Sequence, residues 1–412
     1  MFAKLAASKI AQNAGWLMIL QLSSYAVPLL LLPYLTRVLG LHAFGELALA
    51  WAVLAYAGIF ADFGFYLWGV RECAVNEGDN EKLSKLYSAA ILIKSALLGI
   101  CLLVMTLTAK LAGSPVLLYV FLWVALVGQS LMPGWLYQGK QNSFWFLLFN
   151  ICAQAVSAVL TVILVSKPPD LIFVGLSSAL SWGLFALFAN IHAKKTYSIA
   201  FVLPSFEYLR YAVRGAFPLF SANIWVAFYI NLPALAVGFL STRADTAVFT
   251  GAQKIVLAIQ ALFTPVSSAV FPRISALAAS DARGGAVFFK KIMLFTLPVM
   301  FVVSALLFGL SDFIVSLAFG TGFEHASLLL RIMSIGPTIV AANMLLANHY
   351  IVAFGHAKKL SPVYAATAVL SLILAFAFVP SLGAIGAAIL YVFVEIAVLC
   401  GLLFTASKIS PR

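Results

Sequence analysis

Charge is scarce in this sequence. Only 9% of its 412 residues are Asp, Glu, Lys or Arg, while 64% are hydrophobic. A soluble domain carries roughly 25% charged residues, so this chain has too few to cover a water-exposed surface. Cysteine is scarcer still. Cys73, Cys101, Cys152 and Cys400 stand singly, without a C-x-x-C pair or a His-Cys cluster, which gives no basis for a disulfide framework or a zinc site. There is no Gly-rich phosphate loop, no G-x-S-x-G and no H-E-x-x-H, and no ATP-binding domain. An enzyme and an ATP-driven pump are therefore disfavoured, and no cofactor or metal is expected. The net charge of +12 is spread thinly: basic runs stop at two residues (Lys194-Lys195, Lys290-Lys291, Lys358-Lys359). That is not the footprint of a nucleic-acid surface.

What is present is apolar sequence in long continuous runs, with a mean hydropathy of +1.07. The hydrocarbon core needs about 20 apolar residues per helix and leaves no partner for free backbone groups, so only helices and closed barrels cross it. Alternating ten-residue segments, the barrel signature, are missing. The runs predict about twelve transmembrane helices, at 12–36, 44–69, 86–109, 115–137, 144–165, 171–192, 216–240, 247–271, 287–310, 328–353, 361–380 and 384–405. The first run has no small-x-small cleavage site behind it and reads as a retained span rather than a signal peptide. A polar stretch at 193–215 falls at the midpoint. The expected organisation is an N-terminal six-helix bundle over 1–195, a linker over 196–215 and a C-terminal six-helix bundle over 216–412. With the N-terminus inside, eighteen of the 25 Lys and Arg residues fall on inner segments and six on outer ones. This bias predicts both termini in the cytoplasm. Leu32-Pro33 in the first span and Leu232-Pro233 in the seventh hint at a parallel repeat about the membrane normal.

Polar residues within the spans are the candidates for function, because a charge at the bilayer centre costs about 2.5–3.5 kcal/mol on insertion scales. Asn13, Gln21, Ser24 and Pro28 share one face of the first helix, with Tyr25 beside them. That face either lines a cavity or bonds a neighbouring helix. Asn223 and Tyr229 occupy comparable places in the seventh span. Lys94 and Asp62 lie at similar depths in neighbouring spans. They form either a structural ion pair or a site in which Lys94 draws an anionic head group and Asp62 takes part in ion coupling. Arg37, Lys254 and Arg331 lie toward the outer ends of their spans. They either snorkel to the interface or join Lys94 in a cationic set. Glu395, midway along the last span, and His349 are further candidates for ion coupling, though a lone helix histidine is usually structural.

Several short motifs carry a family resemblance. They are Pro33-Tyr34-Leu35-Thr36-Arg37-Val38-Leu39-Gly40, then Phe44-Gly45, Asp62-Phe63-Gly64-Phe65 and Arg71-Glu72. Further on come Pro133-x-Trp135-Leu136-Tyr137-Gln138-Gly139, Ala252-Gln253-Lys254-Ile255 and Phe271-Pro272-Arg273-Ile274-Ser275. In this order the chain resembles bacterial O-antigen and polysaccharide flippases of the multidrug/oligosaccharidyl-lipid/polysaccharide exporter superfamily. The resemblance implies two six-helix bundles in a V that alternates between inward and outward openings. It implies an undecaprenyl-pyrophosphate-linked oligosaccharide as substrate, moved to the periplasmic leaflet of the inner membrane, and polysaccharide polymerase machinery as a partner. Two other readings remain. A multidrug antiporter of the same superfamily would want an acidic residue in the middle of the first or seventh span, and neither has one. A non-transporting scaffold would leave Lys94 unexplained.

Overall fold

A computed structural model describes residues 2–409. Among them the secondary structure is helical throughout, and ten helical runs are long and apolar enough to cross a membrane. Two of the ten hold a pair of spans each. Phe2–Asp62 would extend about 90 Å at 1.5 Å per residue, three times a hydrocarbon core. It is broken at Gly40 (φ 68°, ψ −178°), backbone that only glycine enters freely. Leu360–Ser407 is broken likewise at Gly383 (φ 56°, ψ −130°). Its two arms fold back on each other, since Val363 packs against Gly401, 38 residues along. Counting these two as pairs gives the twelve expected spans among the described residues.

The differences from the sequence reading lie at the helix ends. The third helix begins at Asn80 rather than 86 because Asp79 caps it, its carboxylate accepting the Lys82 N–H. That hydrogen bond holds the exposed Asp79 carboxyl below its ordinary range. The span expected over 44–69 stops at Asp62, where Phe63 and Gly64 both turn left-handed, and a separate helix follows over Phe65–Val75. The span expected over 115–137 is Val116–Leu131 plus a short Gly134–Gly139, parted at Pro133. Phe206–Leu240 starts within the polar midpoint stretch, so much of that stretch is helix. The span expected over 328–353 ends in a π-helical segment, Leu345–Val352.

Helix faces are sorted for lipid. On Asn80–Leu111 the buried side holds Tyr87, Ala90, Lys94, Leu98, Cys101 and Met105 at three- and four-residue steps. The exposed side holds Ile100, Leu103, Val104, Leu107 and Leu111. Small and polar residues turned inward with large aliphatics turned outward is the membrane arrangement. The chain divides into two compact units. One holds the chain up to Leu31 together with Ala50–Ile224, and the other holds Leu32–Leu49 and everything from Trp225 on. The stretch from Leu32 to Leu49 is anchored in the second unit by Glu46, which pairs with Arg243 Nε at 2.6 Å.

Candidate functional site

In the first unit Lys94 and Asp62 meet. The ammonium donates to Asp62 Oδ1 at 3.0 Å and to the Ser130 carbonyl at 3.1 Å. The lysine side chain is 6% exposed and the aspartate 39%. Both contacts fall at breaks in neighbouring helices. Asp62 ends its helix and also accepts the Tyr66 N–H of the next one at 3.4 Å. Ser130 and Leu131 end theirs, so their carbonyls lack helical donors. Lys94 supplies the first, and Asn190 Nδ2 supplies the second at 3.1 Å. Tyr87 Oη then donates to Asn190 Oδ1 at 2.7 Å. The space beside Lys94 is only about 10 Å³, about what one water needs. In this arrangement two of the three Lys94 N–H donors are taken by protein acceptors, and the adjoining space is about the size of one water.

The second unit holds a buried polar cluster around Glu395. Asn343 Nδ2 donates to the carboxylate at 2.9 Å and to the Glu395 carbonyl at 3.1 Å. Asn343 Oδ1 is buried with no hydrogen-bond partner among the described residues. Tyr229, Tyr364 and Tyr391 lie within electrostatic reach of the carboxylate. Tyr229 stacks on Tyr364 with ring centroids 6.1 Å apart, and Gln260 Nε2 donates to Tyr391 Oη at 2.5 Å. No cation faces Glu395 among the described ion pairs. A buried carboxylate with neutral partners is costly as an anion. It is suited to hold a proton or to meet a cation.

The remaining candidates separate. Arg37 Nη2 donates to the Leu317 carbonyl at 2.7 Å, closing the C-terminal end of the short helix Ser311–Ala318, where a cation is favoured by the helix dipole. Arg331 sits at the other end of that helix, donating to Ser311 Oγ at 2.9 Å and pairing with Asp312. Lys254 is half-buried on Arg243–Ala261. Thus Lys94 belongs to one unit and Arg37, Lys254 and Arg331 to the other. His349 lies in the π-helical segment with Nε2 on the Ser267 carbonyl at 2.9 Å. Gln21, Ser24 and Asn223 are exposed, Tyr25 is half-buried and Tyr229 buried. Ser24 Oγ returns to the Leu20 carbonyl at 2.9 Å. Asn13 Oδ1 accepts the Ser143 N–H at 2.9 Å, and Asn13 lines a cavity of about 730 Å³ whose lining residues all belong to the first unit.

Residues 10–278 match the family described as Polysaccharide biosynthesis protein. The chain belongs to that family. Its relatives include a protein of Escherichia coli (strain K12), 28% identical over 386 residues and 92% of both chains, provisionally named an O-antigen transporter. A Shigella dysenteriae protein of the same name is 24% identical over 91% of this chain and 94% of its own. Among solved structures, an inward-facing multidrug-resistance MATE transporter of the MOP superfamily aligns with a TM-score of 0.76 at 16% identity, over 94% of each chain. The lipid II flippase MurJ aligns at 0.68 and 16% identity, over 98% of this chain and 87% of its own. At that identity these two establish the fold.

The structure explains why the family's short motifs have their composition. Asp62-Phe63-Gly64-Phe65 and Pro133-x-Trp135-Leu136-Tyr137-Gln138-Gly139 are the two helix breaks, and they pack together. Phe65, Trp68, Cys73, Trp135, Leu136 and Tyr137 share one core. A Cβ on Gly139 would stand 2.6 Å from Cys73 Cβ, so only glycine allows that approach. Sequence reasoning did not find Asn190, Asn343, Gln260 or Tyr364. Asn190 and Asn343 look like ordinary polar helix residues until their distant partners are known. The Tyr391–Glu395 spacing of four was the one local sign of the second cluster.

Proposed function

We propose that this protein is a flippase for lipid-linked oligosaccharides. It would move an undecaprenyl-pyrophosphate-linked O-antigen or capsule repeat unit from the cytoplasmic to the periplasmic leaflet of a bacterial inner membrane, by alternating access. The observation that carries this reading is likeness along nearly the whole chain to the Escherichia coli protein provisionally named an O-antigen transporter. Family membership supports it, as does the fold shared with the lipid II flippase MurJ. Both termini face the cytoplasm in this reading, and the two six-helix halves, 1–195 and 216–412, open alternately on either side of a linker over 196–215. The product leaves toward polysaccharide polymerase machinery.

Charge attraction alone does not drive net movement, because a site that binds equally in both states shifts nothing. Glu395 is the group best suited to couple transport to a gradient, since it is buried and its described partners are neutral. Asp62 is bound to Lys94, and His349 to a backbone carbonyl, so both rank behind it. The polar face of Asn13, Gln21, Ser24 and Tyr25, with Asn223 and Tyr229, offers contacts for sugars. Lys254, Arg37 and Arg331 in the second unit and Lys94 in the first are the cations proposed to meet the pyrophosphate during the transport cycle.

The fold is shared with multidrug transporters, so substrate class needs a direct test. Purified protein in nanodiscs should be stabilised against heat by polyprenyl-pyrophosphate-linked sugars and not by cationic dyes. The opposite pattern would favour the multidrug reading. Stabilisation by neither would favour a non-transporting scaffold.

A further inference from the structure

The cavity of about 730 Å³ lies wholly within the first unit and has no place in the coupling or charge arguments above. Its size falls in the range of about 300–1,000 Å³ that holds small organic ligands. Four amide side chains line it: Gln12, Asn13, Gln141 and Asn142. Each amide carries both donors and acceptors, the pairing that adjacent sugar hydroxyls require, since each hydroxyl also donates and accepts. Trp16 and Phe144 add an aromatic wall, with ring centroids 5.2 Å apart and planes at 65°. An indole or phenyl face suits the apolar C–H face of a pyranose. The two charged residues in the lining are Glu77 and Lys140. Their charges cancel, which favours a neutral ligand over an anion. The helix start at Ser143 offers an anion little, because its first N–H is taken by Asn13.

The backbone supplies a second, independent sign. Helix Gly134–Gly139 ends with Lys140 N–H on Leu136 O, Gln141 N–H on Gln138 O and Asn142 N–H on Tyr137 O. That pattern places a left-handed residue at 141, a position usually given to glycine. Here it is glutamine, at φ 53°. A non-glycine residue in this conformation is uncommon, and here it stands in the cavity wall.

We infer that this cavity is a glycan subsite that receives a neutral hexose or N-acetylhexosamine of the lipid-linked substrate. This rests on the transport reading and goes beyond it, since it assigns one sugar of the substrate to a pocket within the first unit. The segments carrying Glu77 and Lys140 are among those the charge bias assigns to the cytoplasm, the side on which the substrate is loaded.

The test uses the full-length protein in nanodiscs and saturation-transfer NMR with free glucose, galactose, mannose, N-acetylglucosamine and N-acetylgalactosamine. At least one sugar should bind saturably. Trp16→Ala and Gln141→Gly should each weaken it about tenfold, the loss of one good contact. Gln141→Gly removes the side chain while relieving the backbone, so its thermal stability should equal or exceed that of the parent. No saturable binding by any of the five sugars overturns the inference, as does binding that both variants leave unchanged. A strain deleted for the protein separates the two readings. Loss of surface polysaccharide there, with no sugar binding in vitro, sinks the subsite and leaves the flippase. Unaltered surface polysaccharide sinks the flippase reading itself.

Discussion

Lys94 shows how a single intramembrane charge is made tolerable. Its ammonium joins a carboxylate and a carbonyl, each at a point where a helix has stopped. Removing it strands a carbonyl and a half-buried carboxylate, at a cost of about 1–3 kcal/mol for an unsatisfied buried group. Lys94→Ala should therefore lower the thermal unfolding midpoint and the amount of folded protein. Lys94→Met combined with Asp62→Asn should recover part of the loss. Normal folding with abolished export in Lys94→Ala would instead favour the head-group role. The sequence placed both residues at one depth but left pairing and ligand binding open. The pairing is completed by the carbonyl at the Ser130 helix break, which apolar periodicity does not register. Glu395 was legible as a buried carboxylate, but its partner Asn343 lies 52 residues away in sequence. Asn343→Ala should destabilise the protein by about 1–3 kcal/mol, because the carboxylate loses its donor. Glu395→Gln can still accept that bond. It should fold normally yet transport without dependence on an imposed proton gradient, and retained dependence would exclude Glu395 from coupling.

At the scale of helices, nearly every span was legible, because twenty apolar residues in a row have few alternatives. The ends were less so. Hydropathy does not see a cap such as Asp79, and it runs straight through the breaks at Phe63–Gly64 and Pro133. Gly40 and Gly383 were legible only as gaps between spans, yet they are the turns that make two spans from one helical run. At Gly40 a Cβ would meet nothing within 4 Å, so any harm from substitution comes from the backbone alone. Gly40→Ala should cost about 1–3 kcal/mol. Gly99 also faces open space but sits inside Asn80–Leu111, and Gly99→Ala should be neutral or stabilising by about 0.5–1 kcal/mol. Parallel unfolding of the two variants checks this, and equal effects would contradict it.

For the molecule as a whole, charge asymmetry predicts both termini in the cytoplasm, and reporters fused at each end should say so. A periplasmic signal from both would invert the loading side and with it the proposed route. The fold class was legible because composition and run length leave so few membrane architectures. The division into units was less legible. The stretch from Leu32 to Leu49 belongs with the second unit through contacts such as Glu46–Arg243, between residues nearly 200 positions apart. The central claim is that the protein turns lipid-linked glycan over from one leaflet to the other. The most direct measurement reconstitutes it in vesicles containing polyprenyl-pyrophosphate-linked oligosaccharide and follows the fraction of glycan open to an impermeant lectin or glycosidase. The account predicts that protein-containing vesicles expose the protected inner pool with time, while empty vesicles and vesicles carrying a misfolded control do not. An inner pool that stays protected, with folded protein present and a gradient imposed in either direction, would contradict it.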